Sequence, residues 1–100
     1  MRIWVLYIAG CPSADPTVEL IRRVVREQGI EPAVGTVEVR SPREAATLRF
    51  LGSPTVRIDG VDIDPTARDR TAFGMVCRLY GTSGIPPEAM IARAVRAALA

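Results

Sequence analysis

An α/β fold with the element order β-α-β-α-β-β-α is predicted by three features of this sequence. Ile3 to Ile8 is an unbroken apolar run of strand length, followed by a short turn and an amphipathic segment. Ser41-Pro42-Arg43-Glu44 is a helix start placed between two further strand-like runs. Asp59-Gly60 separates Thr55–Ile58 from Val61–Ile63, the pattern of a two-residue hairpin with a type I′ turn. A β-α-β beginning demands a parallel pair and the hairpin an antiparallel one. A mixed four-stranded sheet flanked by helices satisfies both.

Each element has its own local reason. Ile-Trp-Val-Leu-Tyr-Ile has the composition of a central strand buried on both faces, which places Trp4 and Tyr7 in the core. Ala9 to Ala14 is a turn. Asp15 is positioned to cap the first helix, with Pro16 at the first helical position, where its missing N–H costs nothing. Val18, Ile21, Val24 and Val25 give that helix an apolar face, and Gly29 is its stop. Arg22, Arg23 and Arg26 alternate with Glu19 and Glu27 and read as a solvated face.

Val34 to Val39 alternates as a second strand. Ser41 caps the second helix, Pro42 follows it, and Glu44 completes a capping box. This helix runs to about Leu51 and stops at Gly52. Residues 64–85 have no clear period, and Phe73 to Tyr80 fits a helical turn, a further strand or a lid equally well. Pro86-Pro87-Glu88 opens the last helix, with Ile91, Ala94, Val95, Ala98 and Leu99 on its apolar side.

The bulk properties exclude several functions. One hundred residues make one domain, residues 1–100, able to bury somewhat over ~60% of its unfolded surface. Thirteen basic and 11 acidic side chains leave a net charge of +2, with no clustered basic face of the kind nucleic-acid binding needs. Met1-Arg2 leads straight into a strand, far short of the ~15–30 residues of a signal peptide. No apolar run approaches the ~20 residues of a membrane span. The expected location is the cytoplasm of a bacterium, with neither nucleic acid nor membrane as partner. The chain has no histidine, which removes Ser-His-Asp and Cys-His catalysis and every histidine metal site.

Two cysteines remain, and in a reducing compartment they read as reactive or metal-binding rather than as a structural bridge. Cys11 follows the first strand in Gly10-Cys11-Pro12 and precedes the first helix. Unpaired N–H groups at a helix start stabilise a thiolate, the form that is nucleophilic, while the carboxylate of Asp15 opposes it. The bland alternative is a small buried hydrophobe at a strand end. Cys77 lies between Val76 and Arg78 and reads either as an inert core residue or as a second thiol. Pro54 either opens a strand after a helix stop or presents a rigid backbone edge toward Cys11. Asp59 to Asp64 lacks the glycine and terminal glutamate of a calcium loop and reads as a turn.

The element order, Gly10-Cys11-Pro12 after the first strand and Ser53-Pro54-Thr55 before the hairpin resemble the thioredoxin superfamily over most of the chain. Tyr7 to Pro12, Phe50 to Gly60 and Cys77-Arg78-Leu79-Tyr80 are similar to a narrower family of small bacterial thioredoxin-like proteins. In that family selenocysteine can replace the first thiol, and some members carry an alkylmercury-lyase label. The resemblance implies a thioredoxin-like fold, with Cys11 as nucleophile and Pro12, Ser53, Pro54 and Thr55 contacting substrate. It also implies that the Ser53-Pro54 bond is commonly cis, and that the main chain of Ser53 pairs with a substrate strand. Ala14 stands where the superfamily has its resolving cysteine, and a local histidine base is missing too. The resolving thiol is therefore Cys77 or external.

Three functions follow. The leading one is a thiol redox protein, a thiol–disulfide oxidoreductase or peroxide reductant, whose partner is a protein or small-molecule thiol or disulfide and which needs no cofactor. The second is a binding protein for a thiophilic metal or organomercurial, with Cys11 and Cys77 as ligands. The third is a non-catalytic interaction module on the same fold.

Overall fold

In a computed structural model that describes residues 1–100, the N-terminal apolar run forms strand β1 (Ile3–Tyr7). Helix α1 (Ala14–Glu27) returns the chain to strand β2 (Val34–Glu38), which pairs parallel with β1 from Ile3↔Val34 to Tyr7↔Glu38. Helix α2 (Pro42–Thr47) leads to strand β3 (Thr55–Ile58), antiparallel to β1, and the hairpin return is strand β4 (Val61–Asp62). A 3₁₀ turn at Pro65–Ala67 begins an irregular stretch, and helix α3 (Glu88–Leu99) closes the chain. The sheet order is β2-β1-β3-β4. The mixed four-stranded sheet and three helices are as predicted. Asp59 (φ 51°) and Gly60 (φ 82°) both take positive φ, as a type I′ turn requires.

The alternation of strands sorts side chains onto two faces. Ile3, Val5, Val56 and Ile58 face α1 and α3 and join Ile21, Val24, Val25, Ile91 and Val95 in the main core. Leu6 points the other way and packs with Val39, Ala45 and Phe50 beneath α2. The register sets up two rows across this second face. One row is Val37, Leu6 and Thr55; the next is Gly35, Trp4, Arg57 and Asp62. A helix of six residues is about 9 Å long, enough to cover the first row and not the second. Trp4 is therefore 40% exposed rather than in the core, its ring lying on Gly35, where no side chain competes for the space. Tyr7 is only half-buried.

Two boundaries and two burial patterns differ from expectation. The turn at Cys11 already winds toward a helix, with the Ala14 N–H donating to the Cys11 carbonyl (3.4 Å) and the Thr17 N–H to that of Ser13 (3.1 Å). So α1 begins at Ala14, and Asp15 is a first-turn residue, not the cap. Ser41 does cap α2, its Oγ accepting from the Glu44 N–H (3.0 Å). That helix ends early because Arg49 adopts φ 54°, so that the Arg49 and Phe50 N–H groups reach back to the carbonyls of Ala46 (3.2 Å) and Ala45 (2.8 Å). This is a Schellman ending with arginine in the position usually held by glycine. In α3, Ile91 and Val95 are buried but Leu99, the last helical residue, is exposed. The basic face of α1 is not wholly solvated: Arg23 bridges to Glu88 of α3 at 3.0 Å, and Arg22 is half-buried.

Candidate functional site

Cys11 sits in the turn between β1 and α1, half-buried. Its N–H donates to the Ile8 carbonyl at 3.2 Å, which closes the turn against the end of β1. Gly10 takes φ 79°, a conformation that a side chain disfavours, and aims the next residue along the start of α1. Cys11 lines a cleft of about 460 Å³ with Tyr7, Gly10, Asp15, Val18 and Thr36. The neighbouring Pro12 is exposed.

On the other side of β1, Ser53 reaches the same strand end. Its Oγ accepts from the Ile8 N–H at 3.1 Å. The Ser53-Pro54 bond is cis, and Ser53, Pro54 and Thr55 are all buried. The Thr55 hydroxyl donates to the Gly52 carbonyl at 2.6 Å, which tightens this turn. The structure thus brings Cys11, Ser53 and Pro54 to one end of β1.

The main chain of Ser53 is not a free edge. Its N–H donates to the Val76 carbonyl (2.8 Å), and its carbonyl accepts from the Arg78 N–H (2.9 Å). Ser53 and Cys77 form a parallel β-bridge. The place expected to receive a substrate strand is filled by this chain's own Val76–Arg78 segment. Cys77 is accordingly neither core nor lid but an exposed thiol on that bridging segment. It is not among the residues lining the Cys11 cleft.

A buried polar network that the sequence did not announce holds the segment in place. Arg78 and Asp62 are 6% and 8% exposed and meet through two hydrogen bonds of 2.8 and 3.0 Å. Arg78 also donates to Thr55 Oγ1 at 3.2 Å and stacks over the Tyr80 ring at 4.6 Å. The Tyr80 hydroxyl donates to the Pro54 carbonyl at 2.6 Å. Burial opposes the charge on Arg78, but the hydrogen bonds and negative charge of Asp62 outweigh it and raise its pKa. Burial pushes the Tyr80 phenol far above its ordinary value. One signal for the network was legible: a two-residue turn at Asp59-Gly60 puts Asp62 across from Arg57, on the face opposite Val56 and Ile58. That Arg78 supplies the charge partner was not.

No group of three or more cysteine, aspartate or glutamate side chains converges in a way that holds a metal ion. No helix is long and apolar enough to cross a membrane. Comparison with known proteins returns no match: no family model, no curated protein and no solved structure is significantly similar to the chain.

Proposed function

We propose that this is a thioredoxin-like thiol redox protein in which Cys11 attacks small disulfides or peroxides. The observation that carries the reading is the position of Cys11: half-buried at the β1–α1 turn, facing a cleft of about 460 Å³, with Ser53 and Pro54 at the same strand end. The sheet order β2-β1-β3-β4, with β3 and β4 antiparallel to their neighbours, agrees with the thioredoxin layout. Because Val76–Arg78 fills the Ser53 edge, the reading favours small substrates entering by the cleft over extended peptides.

The chemistry balances without a cofactor. The Cys11 thiolate attacks one sulfur of a disulfide, forming a mixed disulfide and releasing the other sulfur as a thiolate. Glutathione or a partner thiolate then attacks the outer sulfur of the mixed disulfide and restores Cys11. On the alternative route Cys77 attacks the Cys11 sulfur, closing a Cys11–Cys77 disulfide and releasing the second substrate thiolate, and two external thiols reduce that disulfide. With a peroxide, the thiolate takes one oxygen to become a sulfenic acid while the other leaves as water or alcohol, and two thiols then complete the reduction. The cytoplasm, where thiols are kept reduced, suits this cycle.

The test is turnover of bis(2-hydroxyethyl) disulfide with glutathione as donor, followed by intact mass of the quenched protein. Wild type and Cys11→Ser are compared with Cys77→Ser. Turnover and a mixed-disulfide adduct on Cys11 are expected in wild type, and neither in Cys11→Ser. Retained turnover in Cys77→Ser assigns resolution to the external thiol; loss of two hydrogens from wild type assigns it to Cys77. Equal turnover in Cys11→Ser and wild type would sink the proposal.

A further inference from the structure

We propose that the sheet face left open by α2 binds a small, multiply charged anion that carries an apolar or planar group, held by Arg49, Arg57, Arg68 and Arg70. These four guanidinium groups line one cleft of about 310 Å³, together with Asp62 and Phe73. The size lies at the lower end of small-ligand sites, which start at roughly 300 Å³.

The positive charge in this cleft is only partly compensated. The chain's ion pairs involve Arg23, Arg40 and Arg78, and none of the four cleft arginines. Asp62 is the cleft's only carboxylate, and both its oxygens are taken up by Arg78. Asp64, nearby, accepts from the Thr66 N–H and hydroxyl. Burial opposes its charge, but these donors and the charges of Arg78 and Arg70 hold its pKa down, so it offsets part of the charge of Arg70 without pairing with it directly. Burial lowers the pKa of Arg57, and the positive charges of Arg78 and Arg49 lower it further against the pull of Asp62. An anion in the cleft relieves that repulsion.

The donors are also held in place. Arg57 Nη2 donates to the Arg49 carbonyl at 2.8 Å, and Arg68 Nε to the Asp62 carbonyl at 3.0 Å. Arg49 lies 4.8 Å over the Phe73 ring. A guanidinium has five N–H groups, so Arg57 and Arg68 each keep several for a ligand. Their side chains are already ordered by contacts to backbone, which reduces what binding must immobilise. Phosphate and carboxylate oxygens match this fork geometry.

The second part of the ligand follows from the adjoining cleft of about 240 Å³, which shares Arg57 and Gly60 and is lined by Trp4, Leu6, Val37 and Leu48. Trp4 lies beside Arg57 in the cross-strand register. A planar or apolar group attached to the anion meets the exposed indole there. The basic groups are confined between the end of α2 and the loop after the 3₁₀ turn, a bounded site rather than an extended stripe, which favours a small molecule over nucleic acid.

The experiment titrates the full chain with pyrophosphate, citrate and AMP at low ionic strength. It uses calorimetry and the emission of Trp4, the chain's one tryptophan. Saturable binding of pyrophosphate or citrate is expected, and AMP is expected to quench Trp4. Arg57→Gln and Arg70→Gln weaken binding about tenfold or more, while Arg26→Gln, on the opposite side of the sheet, leaves it unchanged. Arg70 is exposed on a loop, so its variant keeps the test valid if Arg57→Gln does not fold. A preference for pyrophosphate or for citrate identifies the anion, and either supports the site. Absence of saturable binding by all three probes overturns it, as does equal weakening by Arg26→Gln. Affinity for single-stranded oligonucleotides that climbs with their length would overturn it in favour of a nucleic-acid surface.

Discussion

Replacing Arg78 with methionine removes the positive half of the one buried ion pair and leaves the Asp62 carboxylate, 8% exposed, with only the Asp64 N–H at 2.9 Å as partner. The same change frees Thr55 Oγ1 of a donor and the Tyr80 ring of its stacked cation. Stranding one member of a buried pair costs about 3–5 kcal/mol, whereas an exposed pair is worth about 0–1 kcal/mol. A domain of this size has roughly 5–15 kcal/mol in total. The substitution therefore consumes a large share of the stability, lowering Tm by roughly 12–40 °C.

Arg78→Met combined with Asp62→Leu removes both charges and is expected to return to within about 2 kcal/mol of wild type, since the desolvation penalty disappears along with the attraction. Urea unfolding of wild type, both single variants and the double variant gives the coupling energy directly. Amide exchange at Ser53 and at residue 78 is expected to quicken in Arg78→Met, because the network ties the segment from Val76 to residue 78 to the Ser53 edge. A cost below about 1 kcal/mol for Arg78→Met, or a double variant no more stable than the singles, would refute the reasoning.

Two further outcomes follow from the same structure. Burial holds the Tyr80 phenol protonated well above its ordinary value, so in the unfolded chain it ionises near pH ~10 and in the folded protein it does not. Stability from this group is complete below that pH and is lost as pH rises toward the folded value. Urea melts at pH 9 and 11 are expected to show a steeper loss for wild type than for Tyr80→Phe. At neutral pH, Tyr80→Phe costs about 1–3 kcal/mol by leaving the Pro54 carbonyl unsatisfied; equal pH profiles for the two proteins would contradict the assignment. At Arg49, with φ 54°, glycine is expected to be more stable than alanine by about 1 kcal/mol. Both variants lose the side chain, so thermal melts of the pair isolate the backbone; a more stable alanine variant would show that the Schellman ending does not persist.

Much of this architecture is decided by local physics, and so was legible in the residues. Periodicity, capping and turn chemistry act between residues a few positions apart. They were enough for β1, the Asp59-Gly60 hairpin, the Ser41 cap, the element order and the placement of Cys11 between a strand and a helix. Where a long-range contact chooses between local options, the sequence misled. Ile3 to Ile8 reads as buried on both faces, but α2 is too short to cover the row containing Trp4. Gly52 reads as the stop of α2, but the helix ends at Thr47 and the chain reverses at Arg49, where Phe50 turns back into the small core with Ala45.

The sequence by itself determined the α/β class, the mixed sheet and the thiol at the β1–α1 turn, because these follow from spacing along the chain. Only the tertiary structure decided that residues 76–78 lie on Ser53, that Arg78 neutralises Asp62 and that four arginines from three segments share one cleft. Those outcomes join residues as far as 25 positions apart in the Ser53–Arg78 contact, and their partners are chosen by burial and charge in three dimensions, not by any period in the chain.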